Sequence, residues 1–128
     1  MSLRSPLGKA LGTGSAKDGA SHWYAQRVSA VALVLLGLWF VLSLASLDGG
    51  RHDTVVNWLR TPLNSALAVL FVAVAAYHAV LGLQVIAEDY VGNRNRRVAL
   101  MTGLKFLFVF AAVVGILAVL RIAFGVAA

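Results

Sequence analysis

The chain has 128 residues, of which 60% are hydrophobic and only 12% are charged, and its mean hydropathy is +0.84. This composition excludes an ordinary soluble domain and leaves little chain outside a bilayer to build a catalytic core. The net charge of +6 arises from basic residues beside apolar runs rather than in aromatic-rich patches, so it indicates membrane topology and not nucleic-acid binding. Because cysteine is absent, disulfides, thiolate metal sites, iron–sulfur ligation and covalent haem attachment are excluded.

The first 22 residues differ in composition from the rest of the chain. They are rich in Gly, Ser and Ala, carry scattered basic residues, and show neither a helical nor an alternating pattern. We interpret residues 1–22 as a flexible arm and residues 23–128 as a membrane domain. The first apolar run is too long and too well flanked for a signal-peptide core, which predicts an uncleaved anchor. A mitochondrial transit peptide is the alternative, although such segments are typically amphipathic.

Three apolar runs are long enough to cross a bilayer, for which about 20 residues suffice. They predict transmembrane helices over residues 28–47, 63–87 and 98–120. Between the first two, residues 48–53 combine glycines with charges and predict a turn. Residues 55–59 then predict a short interfacial stretch with Trp58 at headgroup level, and Pro62 suits the first turn of the second helix.

The basic residues that flank these runs are unevenly divided. One side receives seven, namely Arg4, Lys9, Lys17, Arg27, Arg94, Arg96 and Arg97, and the other receives three, namely Arg51, Arg60 and Arg121. Basic flanks favour the cytoplasmic side. We therefore expect an all-α integral membrane protein, a bundle of three transmembrane helices with its N-terminus inside and its C-terminus outside.

His78 lies in the middle of the second predicted span, where an imidazole costs free energy unless a partner binds it. Ala75 and Gly82 lie three residues before and four after it, so the helix surface around the ring is flat. A flat surface would let a porphyrin approach an axial histidine, and it would equally serve close helix packing. The ring could instead hydrogen-bond a serine or a carbonyl on a neighbouring helix. The spacing leaves these alternatives open.

Two further places carry candidate functional residues. Asp89 and Tyr90 end the second helix, and eleven residues return Asp89 to nearly the face of His78, so we expect both on the inward side. They are either interfacial anchors or a quinone site in which the phenol donates to a carbonyl and the carboxylate orients it or delivers protons. Arg27 closes the first helix, either as a topology determinant or as the partner of an anionic group such as a haem propionate.

The combination of these elements resembles a known family. Three helices, an Arg-x-Ser-Ala element that begins at Arg27, and the motif His78-x10-Asp89-Tyr90 are similar to the small cytochrome b membrane anchors of succinate dehydrogenase, the succinate:quinone oxidoreductase of respiratory complex II. The resemblance covers about residues 22–124. It implies that one haem b is shared with a second, larger membrane anchor, with one axial histidine from each of the two anchors.

The resemblance also implies a role for each matching residue. His78 would be the axial ligand of the haem iron, Arg27 would lie near the propionates, Tyr90 would hydrogen-bond ubiquinone, and Asp89 would support the quinone site. The chain would supply no catalytic residue, and it would not be catalytic without the other subunits. Two features depart from the expected pattern, namely a somewhat long N-terminal arm and a second acid, Glu88, beside Asp89.

The implied setting is the bacterial cytoplasmic membrane rather than the mitochondrial inner membrane. There the chain would fix a flavoprotein and an iron–sulfur subunit to the inner face and support electron transfer from succinate to ubiquinone. Two alternatives from other classes remain at this point, namely a haem-free structural or assembly membrane protein and a small transporter subunit that uses His78 and Asp89 as a proton relay. The resemblance assigns no role to His22.

Overall fold

The computed structural model describes residues 16–47 and 51–125, without the side chains of residues 16–19. Its helices are α1, Ala16–Ala45; α2, His52–Arg60; α3, Pro62–Tyr90; and α4, Arg94–Ala123. No strand occurs in these two ranges. The three long helices are each apolar and long enough to cross a membrane. The expected all-α membrane fold is therefore confirmed.

The boundaries of the later helices follow from local chemistry. Pro62 begins α3, where its missing N–H would have no partner inside the helix in any case. Asn93 caps α4, because its side-chain oxygen accepts from the backbone N–H groups of Asn95 and Arg96 at 3.0 and 3.2 Å. Residues 55–59, the predicted interfacial stretch, lie within the short helix α2. Its end is tied to α3 by the amide of Asn64, which donates to the carbonyl oxygen of Trp58 at 3.0 Å.

The first helix begins earlier than the sequence predicts. It starts at Ala16, so residues 16–22 are helical rather than part of an irregular arm, whereas residues 1–15 lie outside the described residues. The apolar segment supplies the costly helix nucleus, and each further residue then adds a backbone hydrogen bond at little extra cost. Ala16, Lys17 and Ala20 are good helix formers, which favours this extension.

The central element of the bundle is α3, which packs against α1 and α4 and also contacts α2. A glycine permits its close approach to α4. A methyl group built on Gly115 would lie 3.2 Å from Cγ1 of Val72, closer than an ordinary van der Waals contact. A side chain at Gly115 would therefore require Val72 to move, so the glycine favours close packing of these two helices.

Four aromatic rings join α1, α2 and α3 at one end of the bundle. Trp39 stacks on Trp58 with ring centroids 5.5 Å apart, and Phe40 stacks on Phe71 at 5.2 Å. Phe40 also lies 6.2 Å from Trp58, so the two pairs form one cluster. Such ring pairs add about 0.5–1.5 kcal/mol beyond the area they bury. The cluster therefore holds α2 across the ends of α1 and α3.

Candidate functional site

An open cavity of about 360 Å³ lies between the N-terminal half of α1 and the C-terminal half of α3. Its lining residues are His22, Trp23, Gln26, Arg27 and Ala30 from α1, and His78 and Val85 from α3. Residues from the start of one helix thus meet residues from the end of the other, as antiparallel packing requires. His78 and Arg27, which the sequence singled out separately, line the same cavity.

The His78 ring contacts α1 through both of its nitrogens. Its Nδ1 lies 2.9 Å from the hydroxyl oxygen of Ser29, and its Nε2 lies 3.4 Å from the amide nitrogen of Gln26. Ser29 is only 6% exposed, so the first of these bonds is shielded. The second is long for a hydrogen bond between nitrogen atoms and is correspondingly weak. The serine partner that the sequence offered as one alternative for His78 is therefore present, but it engages only one nitrogen.

The directions of these hydrogen bonds determine where the imidazole proton lies. The Ser29 hydroxyl also lies 3.1 Å from the backbone carbonyl oxygen of Gln26, which can only accept. Because a hydroxyl has one proton, a Ser29 hydroxyl that donates to this carbonyl accepts from the Nδ1–H of His78. The lone pair of His78 is then on Nε2, where the Gln26 amide donates to it. A neutral imidazole in this tautomer is a metal ligand through Nε2.

Two buried polar atoms beside His78 lack a hydrogen-bond partner among the described residues, namely Nε2 of His22 and Oε1 of Gln26. An unpaired buried polar atom costs about 1–3 kcal/mol. The polar part of the cavity is therefore incomplete in the isolated chain. His22 and Gln26 are four residues apart and share one face of α1, a spacing that could have drawn attention to both residues.

Arg27 lies at the same cavity with its charge uncompensated. Its guanidinium carbon is 5.3 Å from the centre of the Trp23 ring, which gives a cation–π contact. Among the described side chains, those of residues 20–47 and 51–125, the only ion pair joins His52 to Asp53 in α2, so Arg27 has no carboxylate partner within that set. The guanidinium is thus available to an anionic group that enters the cavity.

Asp89 and Tyr90 are arranged differently from expectation. Both are exposed, and Tyr90 is 85% exposed, so the prediction that they face the inside of this bundle is wrong for the chain by itself. Both residues lie in the last turn of α3, beyond Val85, which is the cavity residue nearest the end of that helix. Twelve residues also rotate Tyr90 by about 120° from His78. The neighbouring Glu88 accepts a hydrogen bond from Nε2 of Gln84 at 3.0 Å.

Comparison with known proteins identifies the family. Residues 1–119 match the family described as the succinate dehydrogenase/fumarate reductase transmembrane subunit. The chain is 34% identical over 117 residues to the succinate dehydrogenase hydrophobic membrane anchor subunit of Rickettsia bellii, covering 91% of this chain and 94% of that protein. It is 32% identical over 101 residues to the protein of the same name from Paracoccus denitrificans, covering 79% and 78% of the two chains.

A third relative is also a succinate dehydrogenase membrane anchor subunit. The succinate dehydrogenase membrane anchor subunit of Reclinomonas americana is 31% identical over 85 residues, which cover 64% of this chain and 71% of that protein. The three membrane-spanning helices fit a multi-pass protein of the bacterial cytoplasmic membrane. The chain therefore belongs to the succinate dehydrogenase/fumarate reductase transmembrane subunit family, as one of its small hydrophobic membrane anchors.

Proposed function

We propose that this succinate dehydrogenase membrane anchor supplies His78 as one axial ligand of a haem b and presents Tyr90 to ubiquinone. The observation that carries the haem assignment is the 2.9 Å contact between Nδ1 of His78 and the hydroxyl oxygen of Ser29, which itself lies 3.1 Å from the carbonyl oxygen of Gln26. With Ser29 donating to that carbonyl, the lone pair of His78 is on Nε2, the atom through which an imidazole binds iron when its Nδ1–H donates to a neighbouring oxygen. When bound, the haem would accept and release single electrons.

The surroundings of His78 suit such a group. Within the described residues no three His, Cys, Asp or Glu side chains come together, and His78 is the histidine that α3 contributes to the cavity. A haem that bridges two subunits needs only one ligand from each, and the larger membrane anchor would supply the other. Arg27 lines the same cavity without a carboxylate partner and would bind a propionate. The Gln26 amide would have to leave Nε2, at a cost of about 1 kcal/mol for one weak hydrogen bond.

The quinone assignment rests on the exposed end of α3. The phenol of Tyr90 is 85% exposed and would donate a hydrogen bond to a carbonyl of the ubiquinone head group. The neighbouring Asp89 is also exposed and would support the site by orienting the phenol or by delivering protons from the aqueous side. Because both side chains are open in the isolated chain, a neighbouring subunit would complete the site around them.

Membership of the family implies association with the other subunits of the enzyme. More specifically, we propose contacts with the larger membrane anchor in the bilayer and with the iron–sulfur subunit, itself bound to the flavoprotein, at the cytoplasmic surface. The chain itself would not contact succinate. Its N-terminus would be inside, which puts Asp89 and Tyr90 on the side where the soluble subunits bind.

The haem assignment is tested by the optical spectrum of the complex purified from membranes. We expect His78→Ala to remove the dithionite-reduced b-type spectrum, because the iron loses one of its two protein ligands. His52→Ala is the matched control, since His52 is an exposed histidine that pairs only with Asp53 at 3.7 Å. An unchanged haem spectrum in His78→Ala would remove His78 as the ligand and would favour a haem-free structural role for this residue.

A further inference from the structure

We propose that Ser29 is the positioning residue of the haem ligand. Its hydroxyl holds His78 in the tautomer that is protonated on Nδ1, so that Nε2 presents its lone pair to the iron. The proposal rests on the ligand role assigned above to His78. It adds a residue from a different helix, α1, whose function is to fix the protonation pattern and the orientation of the imidazole.

The contact between Ser29 and the backbone of α1 gives the hydroxyl its direction. A serine hydroxyl beside an imidazole nitrogen can either donate or accept. If Ser29 donated to Nδ1, the imidazole proton would lie on Nε2 and would block metal binding there. The carbonyl oxygen of Gln26, 3.1 Å from Oγ, accepts the hydroxyl proton and so disfavours donation to Nδ1. The oxygen lone pairs of Ser29 then remain for the Nδ1–H of His78.

The burial of Ser29 protects its hydrogen bond to His78 and so helps to fix the tautomer of the imidazole. Ser29 is 6% exposed, and its Oγ lies 2.9 Å from Nδ1, so water does not compete readily for this bond. Gly82, one turn after the histidine on α3, also lies beside the Gln26 side chain of α1. A methyl group built on Gly82 would lie 3.5 Å from the Gln26 amide nitrogen. The same amide donates to Nε2 at 3.4 Å and so favours the same tautomer before a metal binds.

The hydrogen bond should also affect the iron. A ligating histidine that donates its other N–H is a more basic ligand, and loss of such a partner typically weakens metal binding about 10- to 100-fold. A more basic ligand stabilises ferric over ferrous iron. We therefore expect Ser29→Ala to raise the midpoint potential of the haem and to accelerate its loss to a competing apo-globin by about 10-fold or more. Ser29→Thr keeps the hydroxyl and should restore both properties.

The experiment compares these variants with a matched serine in the purified complex. The hydroxyl of Ser46 donates to the carbonyl oxygen of Ser43, three residues earlier, at 2.7 Å, which repeats the backbone contact of Ser29 without an imidazole. Ser46→Ala should therefore leave the haem potential and haem retention unchanged. Wild-type values of both quantities in Ser29→Ala would overturn the proposal. An equal shift in Ser46→Ala would also overturn it, because the effect would then not depend on the contact with His78.

A second measurement does not require an assembled complex. In the haem-free full chain labelled with 15N-histidine, the NMR chemical shifts of the ring nitrogens distinguish a protonated from an unprotonated nitrogen. We expect His78 to be protonated on Nδ1 in the wild type and to populate both tautomers in Ser29→Ala. A wild-type His78 protonated on Nε2 would contradict the proposal.

The results separate this inference from the proposed function. If His78→Ala loses the haem but Ser29→Ala behaves as wild type in potential, retention and tautomer, only the role of Ser29 is wrong. If His78→Ala keeps the haem, the ligand assignment fails, and with it the role of Ser29 as the positioning residue of that ligand. The NMR measurement would then still report whether Ser29 sets the tautomer of a structural histidine.

Discussion

His78 is accommodated near the middle of α3 by side chains from one neighbouring helix. An imidazole in hydrocarbon is costly unless its polar atoms are bonded, and here Ser29 and Gln26 of α1 each engage one ring nitrogen. The Nε2 contact is 3.4 Å long and the Nδ1 contact 2.9 Å, so the Nε2 contact is the easier one to replace. His78 could therefore keep its contact with Ser29 through Nδ1 while Nε2 binds a metal.

Tyr90 is the residue through which we expect the chain to affect quinone chemistry. Tyr90→Phe removes one hydroxyl from a side chain that is 85% exposed, so it should leave α3 intact. We expect succinate-dependent ubiquinone reduction to fall by roughly 10-fold, the equivalent of one hydrogen bond of about 1.4 kcal/mol. Succinate oxidation with an artificial soluble acceptor should remain at the wild-type rate.

Tyr77→Phe is the control for that measurement. Tyr77 lies on the same helix and is 53% exposed, but it is 13 residues away from Tyr90, about 20 Å along the axis. Its substitution should change neither activity. If Tyr90→Phe and wild type reduced ubiquinone at the same rate, the phenol would have no role in the quinone site.

The sequence identified some of the site residues and missed others for a physical reason. His78 and Arg27 are prominent in the sequence because an imidazole at membrane depth and a charge at the edge of an apolar run can be recognised without knowing the helix register. Ser29 and Gln26 are not unusual in this way, because a small hydroxyl or an amide near the end of a span is compatible with a lipid-facing or a buried position. Only the register of α1 against α3 brings them to the ring, and hydropathy does not encode that register.

At the scale of helices, hydropathy located the membrane spans better than the helix ends. The second and third spans, predicted over 63–87 and 98–120, are helices over Pro62–Tyr90 and Arg94–Ala123. The difference arises because an apolar run marks the part in lipid, whereas the hydrogen-bond ladder continues until a cap or a proline ends it. The same reasoning explains the early start of α1, whose first turns are polar and helical.

The contact between α3 and α4 predicts a large difference between two glycines of the same helix. A side chain at Gly115 meets Val72 at 3.2 Å, whereas nothing lies within 4 Å of a methyl group built on Gly103. Gly115→Leu should therefore destabilise the bundle by about 1–3 kcal/mol through overpacking. Gly103→Leu should have little effect on packing.

Heat inactivation of the purified complex measures this difference. We expect Gly115→Leu to lose its assembled state at a lower temperature than the wild type and Gly103→Leu to behave as the wild type. Gly115→Ala should lie between them, because its single methyl group requires Val72 to move by only a few tenths of an ångström. If Gly103→Leu were the less stable of the two leucine variants, the close approach at Gly115 would not control the packing.

At the scale of the whole molecule, the chain leaves most of its large apolar surface uncovered. Among the described residues the buried apolar side chains are Leu36, Ala68, Leu81, Ala87 and Met101. Lipid or neighbouring subunits must cover the rest, because water would make such a surface unfavourable. The cavity at His78 shows the same incompleteness among the described residues, with a guanidinium that has no carboxylate partner and two polar atoms that have no hydrogen-bond partner. Both features are those of one component of a complex rather than of an independent transporter.

The unequal charge of the flanks predicts the orientation of the whole chain. The chain contains no cysteine, so in a labelling experiment a single introduced thiol is the only thiol of this chain that can react. Asn57 of α2 and Asn95 of α4 are both exposed and lie on opposite sides of the predicted membrane, so they allow matched Asn→Cys substitutions. With the N-terminus inside, a membrane-impermeant maleimide should label Asn57→Cys in spheroplasts and should not label Asn95→Cys.

Inverted vesicles should give the opposite result, because they expose the cytoplasmic face. Labelling in denaturing detergent checks that both thiols are reactive, which separates protection by the membrane from a thiol that does not react. Labelling of Asn95→Cys in spheroplasts, with Asn57→Cys protected, would reverse the orientation. Asp89 and Tyr90 would then lie on the outer face, away from the soluble subunits, and a quinone site fed with electrons from the cytoplasmic side could not form around them.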